Sequence, residues 1–390
     1  MLNIQENAAK YNDYVIAMRR HFHMHPELSL EEFETTNFVA KELEKIGVPY
    51  ERLTETGLVA TIEGRGPGKT VALRSDMDAL NVTQKNDVPY KSQTHGKMHA
   101  CGHDAHTAIL LGAAQILNDM KDTFDGTVKL VFQPAEEVAA GAKALMAAGD
   151  WYSKVDNFFG AHVWSGLEAG KVSVEAGPRM AAADIFKINI TGKSGHGSMP
   201  HQTLDAVVVA SAMVLNLQTL VSREYSPLEP LVISVGSIHS GNRFNVIAGS
   251  AELEGTVRYF SREIAGTIED SIRRVVESTA AMYRCEATLE YSYVTPPLIN
   301  EEASSALAYE AALKTHGADN IVKLEKTTGG EDFAYFLNEK PGCFAFIGTK
   351  NAAKKTDFAH HNENFDIDED ALIGGSALYA EYALTFLSKN

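Results

Sequence analysis

Nine consecutive residues, Met98-His99-Ala100-Cys101-Gly102-His103-Asp104-Ala105-His106, contain one thiol and three imidazoles. Cysteine and neutral histidine are preferred ligands of zinc-like divalent ions. The stretch runs into the apolar, Ala-rich segment Thr107 to Leu117, so the pattern suggests a metal site where a loop opens a helix. A surface loop that happens to be rich in histidine is the plain alternative. The second chemical feature is Glu136-Glu137. Adjacent carboxylates at a strand end point in different directions. One can ligate a metal while the other faces a water whose pKa the metal lowers toward about 7, and that second Glu can take the proton and return it to a leaving amine. The alternative here is a solvated acid pair complementing a helix dipole.

These residues need elements to hold them. Ile4 to Met24 reads as an amphipathic helix broken by His25-Pro26-Glu27. Ser29-Leu30-Glu31-Glu32 has a capping-box pattern and predicts a second helix from there to about Ile46, stopped by Gly47. Short strands are expected at Leu58 to Ile62, Thr70 to Arg74, Gly126 to Phe132 and Phe158 to Ala161. Helices are expected at Thr107 to Met120 and Gly141 to Ala148. Alternating strands and helices imply an α/β layer with a mixed, mostly parallel sheet. Metal-competent residues recur just after three of those strands: Asp76 and Asp78, Glu136 and Glu137, then His162. Sites in open α/β sheets lie beyond the carboxyl ends of strands, and three ends supplying ligands weigh against coincidence.

The middle of the chain has a different order. Asp184 to Thr191 is a strand, Leu204 to Val221 an apolar helix, Leu231 to Ser237 and Ser250 to Arg258 strands, Glu263 to Tyr283 a helix and Ala287 to Val294 a strand. Strand-helix-strand-strand-helix-strand is the ferredoxin-like α+β pattern. It predicts an inserted domain over 182–294 within a first domain made of 1–181 and 295–390. Ser304 to Thr315, Cys343 to Ile347 and Leu372 to Leu387 supply a helix, a strand and a final helix.

The chain has 390 residues, beyond the roughly 250–300 at which single cores stop growing, so two domains are the default. Its net charge of −16 disfavours nucleic acid and anionic lipid as partners. No run of about 18 apolar residues is evident, and no membrane span is expected. Three cysteines, Cys101, Cys285 and Cys343, form no paired framework, and no signal-peptide core precedes Arg20, so the cytoplasm is the expected location.

Five segments carry a resemblance: Arg74-Ser75-Asp76-Met77-Asp78-Ala79-Leu80, the Cys/His stretch, Phe132-Gln133-Pro134-Ala135-Glu136-Glu137, Gly160-Ala161-His162-Val163, and His361 four residues before Phe365. Together they resemble the M20 metallopeptidases, in particular the amidohydrolases of N-acyl amino acids, hippurate and auxin conjugates. The match runs from His21 to the C-terminal helix. The resemblance implies a zinc-aminopeptidase-like catalytic domain holding two divalent ions, zinc or manganese, with cobalt or nickel as substitutes. The implied ligands are Cys101, His103, Glu137, His162 and His361. Glu136 takes the place of the general base, and Asp78 that of the acid orienting a ligating histidine. His196 corresponds to a residue that stabilises the oxyanion, often across a dimer interface; a histidine in a Gly-rich turn with no role is the alternative. Asn245, Arg258 and Gly330 correspond to substrate-binding positions, although Arg258 reads equally as an ordinary strand-end arginine. Asp76, His201 and Glu331 receive no firm role, and His106 reads as structural rather than as a ligand.

The implied activity is cleavage of N-acyl-L-amino acids, acetyl, benzoyl or aryl-acetyl, by a homodimer joined through the inserted domain. Within the family, a dipeptidase or an N-acetyl-diaminopimelate-type deacetylase is the alternative. A non-catalytic, metal-stabilised binding protein is the alternative from another class, and the intact set of catalytic residues argues against it. Asn81, Gln84, Trp164 and Glu363 depart from the family pattern on loops, which puts substrate preference rather than chemistry in doubt.

Overall fold

Strands buried on both faces build the first part of the molecule. In the computed structural model, which describes residues 4–389, Thr70–Asp76 and Thr127–Gln133 are nearly continuous buried runs, as strands covered on both sides must be. The sheet order is Tyr50–Thr54, Gly57–Glu63, Thr127–Gln133, Thr70–Asp76, Asn157–Glu168, Gly342–Lys350, Val172–Ser173. The four central strands are parallel. The flanking pairs are antiparallel, so the sheet is mixed and less parallel than expected. The cause is local. Tyr50–Thr54 has no buried residue and gives no apolar alternation, and it joins Gly57–Glu63 through a tight turn that permits only antiparallel pairing.

This sheet belongs to a unit formed by Met1–Gly177, Ile299–Glu325 and Asp332–Asn390. The helix His103–Met120 lies in its core beside Leu372–Lys389. Gly112 permits the close approach, since a Cβ there would stand 2.4 Å from Ser376 Oγ and 2.6 Å from Val15 Cγ2.

Several boundaries differ from expectation. The first helix is two, Ile4–Ala9 and Asn12–Met24, because Tyr11 N–H turns back to Ala8 O at 2.8 Å while its hydroxyl reaches Asp119 at 2.7 Å. The capping box at Ser29 does not form. Its hydroxyl donates to Asp78 Oδ2 at 2.6 Å, and the helix begins later, at Phe33–Ile46. Glu27 accepts the first-turn N–H groups of Glu34 at 3.2 Å and Thr35 at 2.7 Å in its stead. The helix after the Cys/His loop starts earlier, at His103, after Gly102 adopts φ 91°. The strand expected to end before His162 continues as Asn157–Glu168, so His162 stands within it.

The second unit comprises Pro178–Leu298 and Lys326–Glu331. Its sheet is antiparallel, in the order Leu231–Ser240, Ser250–Tyr259, Asp184–Thr191, Glu286–Ser292. Ala206–Thr219 and Ile268–Met282 pack on one face. The long helix expected over Glu263 to Tyr283 breaks at Gly266 into Arg262–Ala265 and Ile268–Met282. Contrary to the expectation of no such run, Ala206–Glu224 is long and apolar enough to cross a membrane by composition. One face of it, including Val209, Met213, Leu217 and Leu220, is buried in the core of this unit.

Candidate metal centre

The first unit gathers its ligating side chains from four separate segments. His103 occupies the first turn of its helix, and its Nδ1 lies 3.1 Å from Asp78 Oδ1. Asp78 also accepts the Ser29 hydroxyl and, at 3.0 Å, the Glu137 N–H. Burial alone would raise the Asp78 pKa, but the bonds from His103, Ser29 and Glu137 hold it below its ordinary value. An ionised Asp78 therefore accepts a hydrogen bond from Nδ1–H and turns Nε2 of His103 away from itself. That Nε2 is buried and has no hydrogen-bond partner.

His162 is oriented from its own strand. Nδ1 donates to Val163 O at 2.6 Å, leaving Nε2 to face Cys101 Sγ at 3.4 Å. Burial, with His106 and His360 nearby, drives its pKa well below the ordinary value, so the ring is neutral and its lone pair available. Desolvation and the neighbouring Glu137 push the Cys101 thiol well up. A divalent cation would displace that proton and bind the thiolate.

Glu137 Oε1 lies 3.9 Å from His103 Nε2 and 3.5 Å from His361 Nε2, again with no hydrogen-bond partner. His361 adopts φ 65°, unusual for a non-glycine residue, and its N–H is fixed to Ala100 O at 2.8 Å. Ligand atoms of Cys101, His103 and His162 all lie within 4.8 Å of one another, as do those of Cys101, Glu137 and His361. The two trios share the cysteine sulfur. Buried polar atoms are normally paired, and a cation at each trio would satisfy both His103 Nε2 and Glu137 Oε1. The donor set therefore fits two divalent ions.

Glu136 is half-buried beside this cluster, with an oxygen within 4.8 Å of the ligand atoms of His103 and Glu137. Its Oε1 accepts the Asp332 N–H at 3.3 Å. Ala135, just before it, has φ 54°.

A third group of residues, Asp76, His103 and His106, is close enough to hold an ion, but the Asp76 and His106 atoms are already engaged. His106 Nδ1 lies 2.5 Å from Asp76 Oδ1, and His106 Nε2 accepts the Val163 N–H at 2.8 Å. The Arg74 guanidinium holds the other Asp76 oxygen at 2.8 Å. His106 and Asp76 thus frame the site. Sequence reasoning missed Arg74 and Asp332, which sit 2.9 Å apart with Gln133 bonded to both. The signal was an arginine directly after the apolar run Val71 to Leu73 on a buried strand, where only a buried partner allows a charge.

The remaining predicted residues are carried by the second unit. His196 lies in the short strand Gly195–His196, paired with Val246–Ile247, and the Gly197 N–H bonds to Asn245 O at 2.8 Å. His196 and Asn245 are therefore neighbours. His196 is exposed, and its Nδ1 accepts the Ser198 N–H at 3.1 Å, so Nε2 carries the proton and is a donor. Arg258 is half-buried on Ser250–Tyr259, its guanidinium bonded to Val257 O at 3.1 Å and to Thr256 Oγ1. At Gly330 a Cβ would stand 2.8 Å from Thr295 Oγ1 and 2.9 Å from Ala183 Cβ, so its backbone approaches its neighbours as only glycine allows. His201 lies exposed in the turn Pro200–Gln202.

Residues 72–385 match the model of peptidase family M20/M25/M40. The chain is 40% identical over 385 residues to the N-acetyl-L-cysteine deacetylase of Bacillus subtilis, covering 98% of this chain and 91% of that protein. It is 39% identical to the IAA-amino acid hydrolase ILR1-like 4 of Arabidopsis thaliana, covering 97% and 88% respectively. Among solved structures, the YXEP protein of Bacillus subtilis, described as a dinuclear metal binding peptidase, superposes with a TM-score of 0.87 at 35% identity, over 98% of this chain and all of that one.

Proposed function

The chain belongs to peptidase family M20/M25/M40 and is a metal-dependent hydrolase, and from that premise we propose that it cleaves the amide bond of N-acyl-L-amino acids. The observation that carries the reading is the pair of ligand trios sharing Cys101, with Glu136 at their side. The relatives named for N-acetylcysteine and for IAA-amino acid conjugates support the substrate class.

Cys101, His103, His162, Glu137 and His361 would hold two divalent ions, with Asp78 orienting His103. The Cys and His donors suit zinc, while Glu and His also suit manganese; cobalt and nickel would substitute. Such ions polarise a carbonyl and acidify water. Glu136 takes the proton of the attacking water and delivers it to the amine nitrogen as the amide bond breaks. His196 Nε2–H donates to the carbonyl oxygen as it gains charge, a contact of a kind worth about 2.7–4 kcal/mol. Asn245 and the Arg258 fork bind the substrate carboxylate, and the Gly330 backbone lines its path.

We read the second unit as a ferredoxin-like insertion, since its strands, numbered in chain order, lie 2-3-1-4 in the sheet. We place a homodimer contact on the surface of this unit. Val207, Val208 and Leu215 are exposed there on the apolar helix, and Leu231–Ser240 is an edge strand with Val232 and Ile238 exposed. Cysteines that form no disulfide framework favour the cytoplasm.

The test is a substrate panel with metal content measured on the same sample. Acetyl, benzoyl and indole-acetyl amino acids are expected to turn over faster than simple dipeptides or N-acetyl-diaminopimelate, with two ions per chain. Preference for either of the latter transfers the enzyme to that reading. No hydrolysis by the metal-loaded protein ends the proposal.

A further inference from the structure

We propose that Glu32 is a positioning residue for Glu136: its buried carboxyl group holds the left-handed turn at Ala135 and so sets the direction in which the general base points. The inference rests on the role of Glu136 given above.

Glu32 is fully buried, yet it does not cap the helix it precedes, Phe33–Ile46. Its Oε1 accepts the Ala135 N–H at 2.7 Å, and its Oε2 is buried without a hydrogen-bond partner. Ala135 has φ 54°, a region that residues with a Cβ avoid. Such a conformation persists only where the surroundings over-determine it. Here the peptide is held at both ends. Glu32 takes its N–H, while Ala140 and Gly141 donate to its carbonyl at 3.1 and 3.2 Å.

The consequence falls on the next residue. Glu136 is bracketed by two anchored amides, Ala135 N–H on Glu32 and Glu137 N–H on Asp78. Asp78 also serves His103. The 2.7 Å bond from Ala135 makes Glu32 the side chain that holds the N–H end of this turn. Burial, with Asp78 facing it, raises the Glu32 pKa to about 7, against the pull of the backbone N–H groups of Glu32, Ala135 and Leu30. A neutral amide of the same shape is therefore tolerated at this position, which makes Glu32→Gln a clean control: its Oε1 still accepts from Ala135.

The test uses the metal-loaded enzyme with any substrate it turns over. Glu32→Leu, which fills the space but accepts no hydrogen bond, is expected to lower kcat about tenfold or more, with KM and metal content unchanged. Glu32→Gln should restore most of that loss. Ala135→Gly, which makes the left-handed turn cost-free, should shrink the Glu32→Leu penalty to less than about threefold. Hydrogen exchange of the Ala135 amide should accelerate in Glu32→Leu, a readout independent of substrate. The proposal is overturned by a Glu32→Leu penalty that is equal with and without Ala135→Gly, by a loss that Gln does not rescue, by an effect confined to KM or metal content, or by unchanged exchange at Ala135.

Discussion

Two buried polar regions meet at the first turn of the helix His103–Met120, and neighbouring residues belong to different ones. Asp104 enters a region that closes on itself. Arg19 bonds Asp104 at 3.0 Å, Asp366 at 2.8 Å and Glu369 at 3.3 Å, His23 bonds Asp104 at 2.7 Å, and Tyr90 donates to Asp366 at 2.9 Å. His103 enters the region that stays open, where its Nε2 and Glu137 Oε1 face each other's neighbourhood without partners. Both regions draw on His, Asp and Glu; the closed one adds Arg19 and Tyr90, and the open one adds Cys101 and reaches the surface at His361. What separates scaffold from site is whether unpaired atoms converge on one point. An isolated unpaired group does not qualify. His99 leaves both ring nitrogens unpaired, but burial drops its pKa to about 4 and it joins no ligand cluster.

The sharpest way to break this contrast is at the open region's edge. Glu136→Gln keeps the size of the side chain and removes its basicity. Turnover should fall about 10²–10⁴-fold, the usual worth of a general base, while metal analysis still finds two ions per chain. An active variant would remove Glu136 from the chemistry and leave the open cluster as a binding site.

The closed region should respond in stability. Burial would lower the Arg19 pKa, yet Asp104, Asp366, Tyr90 and Glu369 hold it well above its ordinary value. Arg19→Met therefore strands buried carboxylates, at a cost of about 3–5 kcal/mol by denaturant titration, with kcat per folded molecule changed only severalfold. The pH dependence follows with a definite sign. Burial would raise the Asp104 pKa, but Arg19 and His23 hold it far below the usual carboxylate range. A depressed carboxylate contributes its stability fully above its unfolded value of about 3.8, and loses it as pH falls through the folded one. Without Arg19 the folded value rises, so acid unfolding should begin at higher pH than in the wild type. An unchanged acid midpoint would mean that Asp104 does not depend on Arg19.

How far these regions were legible in the sequence depends on the span of their contacts. Most of the open one was legible, because Cys101 and His103 lie in one short run and Glu136, Glu137 and Asp78 follow strand ends. His361 emerged only through family resemblance, since no local pattern marks it. The closed region was invisible. Arg19 meets Asp104 across 85 positions and Asp366 across 347, and no periodicity reports such pairs. Ser29 misled for the same reason, its capping pattern overridden by Asp78, 49 positions away. Individual strands of the second unit were readable because their apolar alternation, as in Asp184–Thr191, is local.

The smallest expected effect probes the boundary itself. His103 and His106 stand one turn apart on one helix, with ring centroids 5.4 Å apart, and nothing in their spacing ranks one above the other as a ligand. Their partners do. His106 spends Nδ1 on Asp76 and Nε2 on the Val163 N–H, whereas His103 spends only Nδ1, on Asp78. Glutamine offers one donor and one acceptor at about the reach of a neutral imidazole. His106→Gln should therefore keep both bonds approximately, retain two ions and cost at most about 1–3 kcal/mol, the range for a buried polar group left poorly paired. The same change at His103 puts an amide where a lone pair must meet a cation, and metal content should drop. If His106→Gln loses an ion while His103→Gln keeps both, convergence of unpaired atoms is the wrong criterion, and the site lies one helical turn deeper, on Asp76 and His106.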